Sequence, residues 1–148
     1  MRRQLCGIAA AVGLAFAAGA HAQSSSQSDA GPSFRDQAFE AQGDRINDRY
    51  RKAKEECESK RGNAQDLCEK RAEARRNVDR AELAAHKNPT PQNQRKVAEA
   101  KAEAEYAVER EKCDGKPGSE RTSCQKEAKA QFERAKARFR SAATGSSR

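Results

Sequence analysis

Two pairs of cysteines set the strongest limit on what this chain can fold into. Ten residues separate Cys57 from Cys68, and ten separate Cys113 from Cys124. The spacing recurs because the surrounding sequence recurs 56 residues on. Tyr50, Cys57, Lys60, Gly62, Cys68 and Ala72 return as Tyr106, Cys113, Lys116, Gly118, Cys124 and Ala128. Matches of Ala and Lys are cheap in a chain rich in both, but matches of Tyr, two Cys and Gly are not. The unit reads as helix, cysteine, glycine turn, cysteine, helix, and it occurs twice.

Between about residues 34 and 143 the chain is mostly Ala, Glu, Lys, Arg and Gln, the strongest helix formers. Nothing alternates with a period of two, so four helices and no strands are expected. Helix one spans about 34–60. Ser33 suits its N-cap, and Phe39, Ile46, Tyr50, Ala53 and Cys57 form a coiled-coil-like seam. Gly62 is suited to the left-handed conformation that closes a helix. Asn63 is expected to cap helix two, which runs to about His86. Asn88-Pro89-Thr90-Pro91 is a break in which Thr90 caps and Pro91 opens helix three. That helix ends near Asp114, and Ser119 is expected to cap helix four, carrying Cys124, Ala128, Phe132, Ala135, Phe139 and Ala142. The expected fold is all-α: two disulfide-stapled antiparallel helical hairpins, residues 34–88 and 89–143, extended or coiled-coil-like, with disordered ends. Those ends are a Ser/Gln-rich leader over 23–33 and a tail over 144–148.

Residues 1–22 read as a signal peptide. Arg2 and Arg3 precede a charge-free apolar run from Gly7 to Ala20, and Ala20-His21-Ala22 is a small-x-small cleavage site. The run is shorter than the ~20 residues a transmembrane helix needs, so no membrane span is expected in the mature chain. Cys6 precedes the apolar run and is not placed for lipid attachment. Cleavage near Ala22 implies a periplasmic or secreted protein.

In that compartment an even number of regularly spaced cysteines is a disulfide framework. Four cysteines allow three connectivities. Local pairing, Cys57 with Cys68 and Cys113 with Cys124, fits best, because an antiparallel hairpin sets the two positions at similar heights on either side of the turn. Structural zinc prefers pairs two to four residues apart, and a redox site prefers Cys-x-x-Cys. The bridges also answer a shortage. Past the leader only twelve large apolar side chains remain, too few for a conventional core.

No catalytic constellation stands out, and the chain is not expected to be an enzyme or to carry a cofactor or a metal. His86 is the one histidine beyond the leader, and no nucleophile or metal motif surrounds it. Carboxylates such as Glu99, Glu103, Glu105 and Glu109 read as helix-face charges beside Lys101 and Arg110. The excess positive charge is concentrated after residue 118, where eight basic residues meet three acidic ones. Lys126, Lys129, Arg134, Lys136, Arg138 and Arg140 are the candidates for an anionic lipid or polymer surface, with Phe132 and Phe139 among them. The bland alternative packs both phenylalanines on helix three and leaves the charges as a solvated face. Nucleic acid is disfavoured as a partner by the export signal.

The stretch from Tyr50 to Ala74, centred on Cys57-Glu58-Ser59-Lys60-Arg61-Gly62-Asn63-Ala64-Gln65-Asp66-Leu67-Cys68, resembles a group of small exported Ala-rich proteins of Gram-negative bacteria. These repeat a Cys-x4-Gly-Asn-Ala-x-Asp-x-Cys motif and are often labelled TolA-like or cell-envelope biogenesis proteins. The resemblance covers about residues 50–137. The second copy departs from the motif, since Gly118-Ser119-Glu120-Arg121 lacks the Asn-Ala-x-Asp piece. The resemblance implies compartment and repeated motif, and no mechanism. The expectation for function is therefore a structural or interaction role at the cell envelope, with an envelope protein or a second copy as partner. A binder of anionic polymers or lipid headgroups is the alternative.

Overall fold

The computed structural model describes residues 33–145, which form four helices and no strand. They are α1 Phe34–Cys57, α2 Asn63–Lys87, α3 Pro91–Asp114 and α4 Gly118–Gly145. The signal-peptide reading of 1–22, most of the 23–33 leader and the last residues of the tail lie outside the described residues. Within them α4 continues through Thr144 and Gly145, past the point where the tail was expected to start.

The ends follow from local chemistry. Ser33 caps α1, its side chain accepting a hydrogen bond from the Asp36 N–H. Thr90 does the same for α3 through the Asn93 N–H, and Pro91 occupies the first turn. Both caps stand where the sequence places them. The α1–α2 turn differs. Helix α1 stops at Cys57, three residues early, and Glu58 closes it in the ordinary right-handed conformation. Gly62 does take a positive φ, 55°, but it opens α2 rather than closing α1. Asn63 is then the first helical residue and caps nothing with its side chain. Gly118 likewise has φ 38° and begins α4, which puts Ser119 inside the helix.

Each helix packs on its neighbours in sequence, α1 on α2, α2 on α3 and α3 on α4. Among the described residues α1 meets neither α3 nor α4, and α2 does not meet α4. The two hairpins therefore join through α2 and α3 in one row. The buried set fits this thin arrangement: Ile46, Cys57, Ala72, Ala74, Ala85, Ala102, Cys113 and Ala128. Ile46 is the one large aliphatic side chain among them, and Phe34 is 88% exposed and contributes nothing. Small side chains let the helix axes approach closely, but they remove little apolar area from water.

The repeat survives in the packing even where residue identity does not. Ile46 and Ala102 are related by the 56-residue offset and are both buried, as are Ala72 and Ala128. Arg76 and Phe132 are related in the same way. The first lies 4.2 Å over the ring of Tyr50, and the second stacks at 4.8 Å on the ring of Tyr106. Each hairpin thus has one rung, a tyrosine from its first helix under a flat group from its second.

Candidate functional site

The bridges pair as expected, Cys57 with Cys68 and Cys113 with Cys124, with Cα separations of 5.5 and 5.6 Å. Both lie in the normal range for a disulfide. Each bridge ties the last turn of one helix to the first turns of the next. Cys57 and Cys113 are fully buried beneath the turns they close. Two intact disulfides mark a chain that matures in an oxidising compartment.

Because the helices alternate in direction, both turns fall at the same end of the row, and Asn63 connects them. Its Nδ2 donates to the carbonyl oxygen of Glu111 on α3 at 3.2 Å. Its amide also fills the space beside Gly115, where an added Cβ would stand 2.4 Å from Asn63 Oδ1. Gly115 is right-handed, so what bears on a side chain there is the close approach of the Asn63 amide and not φ. The second copy has Ser119 at the position of Asn63.

Behind the first bridge, Lys54 on α1 pairs with Glu69 on α2 at 3.2 Å. Hydrogen bonds from Gln65 and then from Lys54 hold the Glu69 carboxyl below its usual range, and Glu69 raises the Lys54 ammonium in return. Arg49–Asp79 and Lys101–Glu82, both at 2.8 Å, link α1 to α2 and α2 to α3. These pairs stand in solvent and each contributes little to stability. Their role is to fix which charges face which seam.

The basic residues of α4 do not form one patch. Arg134 and Arg138 lie on one flank of the α3–α4 seam, beside Glu105 and Glu109. Lys136 and Arg140 lie on the other flank, with Arg95 and Lys96 of α3. Lys126 and Lys129 are exposed one to three turns nearer the bridge, and their spacing places them on the Lys136 side of the helix. The signal for this division was the helical phase: 126, 129, 136 and 140 advance by threes, fours and sevens, while 134 and 138 form a separate row. Arg95 and Lys96 were missed in the sequence because their proximity depends on the hairpin register.

On the Lys136 flank the two helices enclose an open groove of about 430 Å³. Phe132 and Phe139 line it from α4, and Glu99 and Glu103 line it from α3 together with the two cations. Phe132 packs against Tyr106, as the bland reading of the sequence required, and the Lys136 ammonium lies 5.1 Å over its ring. Phe139 is half-buried at the groove wall. Among the described residues no cluster of three or more His, Cys, Asp or Glu could hold a metal ion. No described helix is long and apolar enough to cross a membrane.

No family model, curated protein or solved structure matches the chain. The description that stands is the fold itself, a pair of disulfide-stapled α-helical hairpins joined in a row.

Proposed function

We propose that this chain is a non-enzymatic helical interaction module of the periplasm, exported through its first 22 residues and serving a structural role at the cell envelope. The observation that carries the reading is the single row of helices. Among the described residues no further element covers either face of the row, and stacked helical hairpins of this kind serve elsewhere as extended binding surfaces. The bridges and the Asn63 contact keep those faces in fixed relation without a thick core. The motif resemblance and the sequence of the leader support the compartment, and the mixed charges on the faces suit recognition of another protein.

The test is fractionation followed by photo-crosslinking from an exposed face position such as Arg75 or Glu127. The intact mass of the periplasmic form should correspond to a chain beginning at Gln23 with two disulfides. Crosslinking should give one discrete adduct with an envelope protein or a second copy, and that adduct should vanish after reduction. Recovery of a full-length chain in the cytoplasm with free thiols would overturn the proposal.

A further inference from the structure

The α3–α4 groove sets two half-buried aromatic side chains, Phe132 and Phe139, among cations. Four cations line it against two carboxylates. The hairpin register assigns these charges to positions along the groove. Cys113 stands opposite Cys124 and Tyr106 opposite Phe132. In an antiparallel pair that places Arg95 and Lys96 at the open end of the hairpin, near Phe139 and Arg140. Glu99 and Glu103 follow inward, toward Phe132 and Lys136. The groove therefore has a positive mouth, an aromatic wall, and a negative charge further in.

We propose that this groove binds a single-chain anionic amphiphile, such as a fatty acid or a lysophospholipid. Its carboxylate or phosphate sits at the mouth on Arg95, Lys96 and Arg140, and its acyl chain lies along Phe139 toward the edge of Phe132. Arginine suits the head because its planar guanidinium meets a carboxylate or phosphate with two parallel hydrogen bonds. Three cations stand at the mouth, and Glu99, Glu103 and one cation, Lys136, stand further in, which favours the head at the mouth. The concave shape favours a monomeric ligand over a bilayer. A flat membrane would touch the rims and leave Phe132 at the seam, where Tyr106 covers one of its faces. The volume lies within the ~300–1,000 Å³ range of small-molecule sites. This ligand is separate from the protein partner proposed above and does not depend on it.

The test is NMR titration of the oxidised, exported chain with laurate and with lysophosphatidylglycerol, both kept below their critical micelle concentrations. Lysophosphatidylcholine and phosphatidylglycerol vesicles serve as comparisons. Shifts should concentrate at Arg95, Lys96, Phe132, Lys136 and Phe139. Affinity should fall by up to about fourfold per methylene removed from the chain, at ~0.8 kcal/mol each. The Arg95→Gln/Lys96→Gln double variant alters only exposed side chains and should weaken laurate binding tenfold or more. Arg134→Gln/Arg138→Gln on the opposite flank should leave it unchanged. Phe139→Ala should weaken it comparably with helicity retained. If Phe139→Ala unfolds the helix, the Arg95/Lys96 comparison decides the matter. Equal affinity for the zwitterionic lipid, equal loss from both pairs of Gln substitutions, or binding to vesicles alone would each overturn the proposal.

Discussion

Replacing Gly115 by alanine is ordinarily a stabilising change, and here its sign should depend on another residue. Gly115 has φ −75° and ψ −5°, which alanine adopts without strain. At such a site Gly→Ala gains about 0.4–1 kcal/mol by restricting the unfolded chain. The added Cβ, however, would stand 2.4 Å from Asn63 Oδ1 and 3.0 Å from its Cγ. The Asn63 amide must swing away, which breaks its bond to the Glu111 carbonyl, a contact worth about 0.5–1.5 kcal/mol. In the natural background Gly115→Ala should therefore fall between about 0.5 kcal/mol stabilising and about 1 kcal/mol destabilising, centred slightly on the destabilising side, from the balance of these effects. With Asn63→Ala already present the clash is gone, and the same substitution should stabilise by about 0.5 kcal/mol. The double-mutant cycle should then show a coupling of about 1 kcal/mol, outside the ~0.3–0.5 kcal/mol scatter of independent sites. Urea denaturation of the four oxidised proteins, followed by far-UV circular dichroism, measures it. Additive effects, or equal stabilisation in both backgrounds, would refute the claim that Asn63 joins the two tips.

Arg76→Phe should reproduce in hairpin one the Tyr106–Phe132 stack of hairpin two. Because it also removes the buried Arg76 Nε, which has no hydrogen-bond partner, it should stabilise by about 1 kcal/mol in thermal melts. Peptide mapping without reduction should recover Cys57 joined to Cys68 and Cys113 joined to Cys124, and no peptide joining the two hairpins. For pH, Asp36, Glu69 and Glu73 are all held below the usual carboxylate range, chiefly by hydrogen bonds from Ser33, Gln65 and Lys70 respectively. A carboxyl lowered in the folded state contributes stability above its unfolded value of about 4, and that contribution is lost as pH falls through the folded value. Melting temperature should hence be flat from about pH 5 to 8 and decline modestly below about pH 4, less so in high salt.

The fold was legible where it rests on spacing. The cysteines, the 56-residue repeat and the caps at Ser33 and Thr90 are local signals, and the chain obeys them. Asn63 was misread because an Asn after a Gly looks like a cap from the sequence alone. Its actual partner, Glu111, lies 48 residues away and comes near only when the two turns meet at one end of the row. The equivalence of Arg76 and Phe132 was hidden because the repeat was read by identity, whereas the packing conserves a flat group over a tyrosine. The basic residues of α4 were counted as one cluster, although their helical phase already divides them. Arg95 and Lys96 were recoverable in principle, since the Cys113–Cys124 pairing fixes what faces what along the hairpin.

The central claim is that two bridges do the work of a missing core, and thermal melting of the oxidised and reduced protein tests it most directly. Each bridge joins residues 11 apart in sequence, and closing such a loop in the unfolded chain is worth roughly 3 kcal/mol. Together they contribute about 6 kcal/mol, comparable with the whole stability of many domains. At about 4 °C per kcal/mol for a chain of this length, reduction should lower the midpoint by 20 °C or more. Helicity should fall with it, because helices packed mainly through alanine keep little stability of their own. A reduced protein that melts within a few degrees of the oxidised one, with its helicity intact, would contradict the account.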